Sequence, residues 1–143
     1  MAQVGLLEDN ARIAKLCSTM LHYAGHEVTI YEGARDCLSA LLPQLQLEEN
    51  NQHGPQLPPS SSLPIDVLIL DLHLPDIDGM EVLYSLRSHP QTQTLPLVFC
   101  TAAGPSEITR ALRIAPQANF VEKPFTFQEL ITAIANALEA PVS

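Results

Sequence analysis

Ile65-Asp66-Val67-Leu68-Ile69-Leu70-Asp71-Leu72-His73-Leu74-Pro75-Asp76-Ile77-Asp78-Gly79 changes character twice in a short span. Val67 to Leu70 is an unbroken apolar run, the mark of a strand covered on both faces of a parallel sheet. The run stops on a carboxylate, Asp71, and Pro75 with the Asp78-Gly79 pair turns the chain at once. Met80, Leu83 and Leu86 then recur at helical spacing. Strand, terminal acid, turn and helix put Asp71 at the edge where open α/β sheets bind ligands. An aspartate there can equally do no more than cap the strand end.

The same alternation extends in both directions. Upstream, Gln3 to Leu7 reads as a strand ending on Glu8-Asp9. Ile13, Leu16, Cys17, Met20, Leu21 and Ala24 make a helical stripe, with Asp9 or Asn10 as N-cap and Gly25 as the stop. Val28 to Tyr31 is a β-branched and aromatic strand, and Ala34, Leu38, Leu41 and Leu42 mark a second helix. Downstream, Leu97 to Thr101 is a fourth strand, and Ser106 can cap a helix carrying Ile108, Ala111, Leu112 and Ala115. Asn119 to Lys123 is a fifth strand. Thr126 with Glu129 has the spacing of a capping box and opens a last helix, with Phe127, Leu130, Ile131, Ile134 and Leu138 on one face. Five strand–helix units with right-handed crossovers give a doubly wound α/β sheet with helices on both faces, flavodoxin-like or Rossmann-like.

Residues 43–64 break the pattern. Gln44 to Glu49 can prolong the second helix, but Asn50 to Pro64 is mainly Asn, Gln, Gly, Pro and Ser. That composition buries too little apolar surface to offset its ordering entropy, so an extended surface loop is expected. A tolerated insertion and a partner-binding loop are the two readings of it.

Composition narrows the function classes. The chain has 143 residues, 46% hydrophobic and 16% charged, which suits one globular domain with a true core. Sixteen acids against seven bases give a net charge of -9 and no basic cluster, which disfavours direct nucleic-acid binding. Arg110 and Arg113 are a close basic pair, expected on a solvated helix face. No apolar run approaches the roughly 20 residues of a membrane span, and Met1-Ala2-Gln3-Val4 lacks a charged signal-peptide n-region. Cys17, Cys37 and Cys100 lack metal-ligand or CxxC spacing and read as buried reduced thiols of a cytoplasmic protein. No Gly-rich phosphate cradle, GxSxG elbow or HExxH helix occurs, and His22 and His26, four apart, are split by Gly25.

Because all strands of a parallel sheet end at one edge, Glu8-Asp9, Asp71, Thr101 and Lys123 should converge there. Two carboxylates about 4 Å apart repel by roughly 4 kcal/mol at an effective dielectric near 20. One lysine cannot balance three acids. A hard divalent cation such as Mg²⁺ can, since it prefers carboxylate oxygens and needs few protein ligands. Three solvated acids at loop starts are the structural alternative.

Leu7-Glu8-Asp9-Asn10, Asp71 through Gly79, Thr101-Ala102 and Lys123-Pro124-Phe125, in that order along Gln3 to Leu138, resemble the receiver domain of two-component response regulators, chemotaxis-type single-domain members included. The resemblance implies a flavodoxin-like (βα)5 fold, a five-stranded parallel sheet of order 2-1-3-4-5. It implies that Asp71 is the phosphoacceptor, attacking the phosphoryl group of a phosphohistidine. It implies a Mg²⁺ ion, for which Mn²⁺ can substitute, held by Asp9, Asp71 and the backbone carbonyl of His73, with Glu8 acting through water. Lys123 then pairs with one phosphoryl oxygen and Thr101 hydrogen-bonds another. Thr101 and Phe120 are the implied switch, and the Lys123-Pro124 bond is expected to be cis. The implied partners are a sensor histidine kinase or histidine phosphotransfer protein, and a downstream target or a second copy on the face of helix four, strand five and helix five. Such a module catalyses only its own phosphorylation and autodephosphorylation.

The chain departs from the family's pattern in several places. Glu8 stands where Asp is more frequent, and Phe120 lacks a hydroxyl. Gln117-Ala118 replaces a common Gly-Ala, and His73 and Ala103 sit where the family tunes acyl-phosphate lifetime. With the chain stopping at Ser143, output is expected through protein contact unless a longer protein was trimmed. Two other readings are a degenerate receiver acting as a docking module and a Mg²⁺-dependent phosphohydrolase with an aspartyl-phosphate intermediate. The second typically has another acid two residues after the nucleophile, where this chain has His73.

Overall fold

The structure is a computed structural model that describes residues 2–42, 63–72, 79–102 and 105–139. Its elements are β1 (Gln3–Leu7), α1 (Ala11–Tyr23), β2 (Glu27–Tyr31), α2 (Ala34–Leu41), β3 (Val67–Asp71), α3 (Gly79–Ser88), β4 (Leu97–Thr101), α4 (Pro105–Ile114), β5 (Asn119–Glu122) and α5 (Phe127–Glu139). The expected extended loop at about 43–64 falls almost wholly on residues 43–62, outside the described residues. The same holds for the turn at residues 73–78, including His73, and for Ala103.

The five strands pair in parallel in the order β2-β1-β3-β4-β5, the flavodoxin-like arrangement. Alternation along each strand divides the core into two. Leu68, Leu70, Leu97 and Phe99 meet Cys37 and Leu41 of α2, Leu83 and Leu86 of α3, and Ala111 of α4. Val67, Ile69, Val98 and Cys100 meet Ala14, Cys17 and Leu21 of α1 and Leu130, Ala133 and Ile134 of α5. All five residues of β3 are buried, as its apolar run requires.

Local chemistry explains the helix ends. Asn10, one of the two expected caps, accepts at Oδ1 from the backbone N–H groups of Arg12 and Ile13. Gly25 follows α1 with φ +93°, a conformation that disfavours side chains with a Cβ. Thr126 and Glu129 form the reciprocal box: Glu129 N–H donates to Thr126 Oγ1 at 3.0 Å and Thr126 N–H to Glu129 Oε1 at 2.8 Å.

Several expectations need adjusting. Pro105 opens α4, so Ser106 lies inside the first turn rather than capping it; a proline fits there because its missing N–H has no helical partner. β2 begins at Glu27, and β5 ends at Glu122, leaving Lys123 one residue beyond it. Leu16 is 55% exposed, because the buried row of α1 is Ala14, Cys17 and Leu21 and Leu16 lies a full 100° away from Cys17 around the helix. Phe127 and Leu138 likewise sit on the open margin of the α5 stripe.

Gly79 fixes the approach of α3 to the end of β3. A Cβ there would lie 2.6 Å from Leu72 Cα and 2.8 Å from the carbonyl oxygens of Asp71 and Leu72, all rigid backbone. Gly79→Ala is therefore expected to cost about 1–3 kcal/mol by overpacking. Urea unfolding checks this, and an unchanged midpoint would contradict the close approach.

Cys17, Cys37 and Cys100 are buried and free, as expected. Burial pushes their thiols up to about 11, 12 and 12. Above pH about 9 the unfolded chain releases thiol protons that the folded chain retains, so stability falls as pH rises through this window. Lys123, whose folded pKa is raised, adds a loss of the same sign at higher pH. The urea midpoint should drop between pH 8 and pH 10.5; a flat profile would show that the thiols titrate normally.

Candidate functional site

The register of the sheet sets the site. Leu7 is level with Leu70, and Asp71 is level with Cys100, so Glu8, one residue past Leu7, stands on the rung of Asp71. Thr101 pairs with Glu122 one rung further on, and Lys123 follows Glu122. The ends of β1, β3, β4 and β5 thus carry Glu8-Asp9, Asp71, Thr101 and Lys123 to one edge, as the sequence predicts. Thr101 is placed there by its backbone, and His73 lies outside the described residues.

Glu8 and Asp71 are each only 3% exposed, which is unusual for carboxylates. Lys123 reaches back over them. Its Nζ donates to Glu8 Oε1 at 2.9 Å and to Asp71 Oδ2 at 3.2 Å, with the lysine side chain 17% exposed. The other Glu8 oxygen, Oε2, accepts from the backbone N–H of Asn10 at 3.2 Å. Asn10 therefore caps α1 through its side chain and orients Glu8 through its backbone. Its capping role was legible in the sequence; the second contact depends on a local backbone turn that no motif signals. Direct pairing of Glu8 with Lys123 was also not expected, since the family pattern assigns this lysine to a phosphoryl oxygen.

The electrostatics follow from the burial. Desolvation pushes the Glu8 carboxyl above its usual range, the Lys123 hydrogen bond opposes this, and the charge of Asp71 adds to the rise. Burial works against the charge on Lys123. Its hydrogen bond to Glu8 and the charges of Asp71 and Glu8 outweigh that effect and raise its pKa.

Glu8, Asp9 and Asp71 each offer a carboxylate oxygen within 4.8 Å of the others, a group that can hold a metal ion. Among the described residues, three carboxylates against one ammonium leave two formal negative charges, which a divalent cation balances. Oxygens on adjacent positions around Mg²⁺ lie about 3 Å apart and opposite ones about 4.2 Å, given bonds of roughly 2.1 Å. The donor set is all hard oxygen, and Asp9 is solvent-exposed, which leaves an open side for water. The residues fit such an ion.

Two further features stand near this edge. The Lys123-Pro124 peptide is cis, as expected. Phe120, two residues before Glu122 on β5, is 43% exposed and turned outward. It borders an open cavity of about 390 Å³ that Gln128, Thr132 and Asn136 of α5 also line. No helix among the described residues is long and apolar enough to cross a membrane.

Known proteins share both the fold and the sequence pattern. The structure is similar to a putative response regulator from Chloroflexus aurantiacus, with a TM-score of 0.73 and 28% identity over 97% of this chain and 98% of that one. It is also similar to the chemotaxis protein CheY4 of Vibrio cholerae, with a TM-score of 0.72 and 22% identity over 96% of this chain and 99% of that one. The response regulator SaeR of Staphylococcus aureus is 23% identical over 138 residues, 96% of this chain and 51% of SaeR. The chain thus spans about half the length of the curated relatives it matches. Receiver domains act in two-component signalling, where they partner with histidine kinases. The response regulator receiver domain matches residues 4–135, nearly the whole chain, and the protein belongs to that family.

Proposed function

We propose that the protein is a phosphoacceptor module that takes a phosphoryl group onto Asp71 from a histidine kinase or a histidine phosphotransfer protein. One observation carries this reading: a buried aspartate at the end of the central strand, paired with Lys123 and flanked by Glu8 and Asp9. A carboxylate oxygen of Asp71 forms the new O–P bond as the P–N bond to the donor imidazole breaks. The electron pair stays on the ring nitrogen, which takes up a proton. Attack of water on phosphorus later breaks the acyl O–P bond, releasing inorganic phosphate and restoring Asp71.

Phosphoryl transfer leaves the protein little covalent work, so positioning and charge neutralisation dominate. Asp9, Asp71 and the His73 carbonyl would hold Mg²⁺ or Mn²⁺, with Glu8 near it through water; when bound, the ion neutralises charge on the transferring group. Lys123 supplies a fixed positive charge, and the Thr101 hydroxyl supplies a hydrogen bond. Each such bond to a charged group contributes about 1.5–3 kcal/mol. Moving a two-state equilibrium from 1:99 to 99:1 needs roughly 5.5 kcal/mol, so a few such bonds suffice.

The module acts on no other substrate. Residues 1–143 form one receiver domain in the cytoplasm. Thr101 moves toward the phosphoryl group and Phe120 packs inward behind it, which reshapes the α4-β5-α5 face for a downstream protein or a second copy.

Incubation with acetyl phosphate and Mg²⁺ should add one phosphate by intact mass. Asp71→Asn or EDTA should abolish the adduct, and Lys123→Ala should reduce it about 10-fold or more, the worth of one charge-assisted hydrogen bond. An adduct surviving in Asp71→Asn would move the acceptor elsewhere. Beryllofluoride with Mg²⁺ should change hydrogen exchange across α4, β5 and α5, and identical profiles would remove the switch.

A further inference from the structure

Lys123 is already engaged before any phosphoryl group arrives. Its shorter contact is to Glu8 Oε1 at 2.9 Å, against 3.2 Å to Asp71 Oδ2. Glu8 is buried, and the Asn10 N–H holds its second oxygen, so the carboxylate is fixed at both ends. Its neighbour Asp9 is exposed. The two acids of the β1 edge are therefore unequal: one is turned to solvent and the other is locked onto the lysine.

We propose that Glu8 is an internal competitor for Lys123, a positioning residue whose length sets how readily Asp71 is loaded and how long it stays loaded. The inference rests on Asp71 being the phosphoacceptor. A phosphoryl group on Asp71 presents new anionic oxygens beside the carboxylate that Lys123 already touches. For the ammonium to pair with one of them, it must give up or share its bond to Glu8 Oε1. Loading thus exchanges one charge-assisted hydrogen bond for another, rather than adding one to a free cation.

Side-chain length is the critical variable. An aspartate at position 8 places its carboxylate one methylene closer to the backbone. That withdraws the oxygen by about 1.5 Å, the length of a carbon–carbon bond, and a contact of 2.9 Å becomes too long for a hydrogen bond. The negative charge stays in the site while the tether is lost. Glu8→Asp therefore separates competition from charge.

The experiment uses the full chain, with wild type, Glu8→Asp and Asp71→Asn compared. Side-chain ammonium NMR is recorded first, without metal or phosphoryl donor. Ammonium protons held in an ion pair exchange slowly enough to be seen, so Lys123 should be visible in wild type and in Asp71→Asn and weakened in Glu8→Asp, which keeps only the 3.2 Å contact to Asp71. Initial phosphorylation by acetyl phosphate is then measured at saturating Mg²⁺, with the saturation point of each variant fixed separately by Mn²⁺ electron paramagnetic resonance. Glu8→Asp should load about 10-fold faster than wild type, the worth of one charge-assisted hydrogen bond. An undiminished Lys123 signal in Glu8→Asp overturns the proposal, as does loading no faster than wild type at saturating metal. A wild-type protein that forms no adduct while keeping its ammonium signal overturns the acceptor reading itself, a result distinct from either of these.

Discussion

The ammonium of Lys123 between two buried carboxylates is the contact on which the rest of the site depends. Glu8 and Asp71 occupy the same rung of adjacent parallel strands, so the sheet forces them together whatever their charges prefer. Desolvation makes that costly, and leaving either acid unpaired indoors would cost more. Lys123 is the group that reaches both. It does so from outside β5, and only a register that ends β5 at Glu122 brings its stem over the edge of β4. Strand order, strand length and charge compensation are thus one constraint seen at three scales.

The packing on either side keeps this edge rigid. β3 is buried on both faces, with Leu68 and Leu70 committed to α2 and α3 and Val67 and Ile69 committed to α1 and α5. Neither core can relax to let Asp71 retreat from Glu8. The backbone at Asp71 and Leu72 is held further by α3, which approaches so closely that only Gly79 fits. An acid held in place beside two other carboxylates suits a cation as ligand. Much of this edge is therefore poorly placed for stability and well placed for binding.

Most of the fold was legible because its signals are local and repeated. The apolar run of Val67 to Leu70, the Thr126–Glu129 box and the stop at Gly25 each act within a few residues, and parallel topology then dictates which ends converge. The misreadings arose where periodicity cannot define a margin. Leu16, Phe127 and Leu138 fit a helical stripe yet lie at its rim, because stripe width depends on how far the sheet extends beneath the helix. At the site, the identities of Glu8, Asp9, Asp71 and Lys123 were legible. Their pairing was not, since a motif records which residues gather and not which oxygen lies 2.9 Å from which nitrogen.

The difference matters because Glu and Asp are equivalent in charge and unequal in reach. At position 9 the residue is exposed, on the open side of the carboxylate group. At position 8 both oxygens are spoken for, one by Lys123 and one by the Asn10 N–H, so an added methylene decides whether the lysine is tethered. A family pattern that treats the two acids as interchangeable describes the charge of the pocket. The resting partner of Lys123 is a property of this chain, fixed by the residue at which β1 ends and by the turn that Asn10 makes into α1.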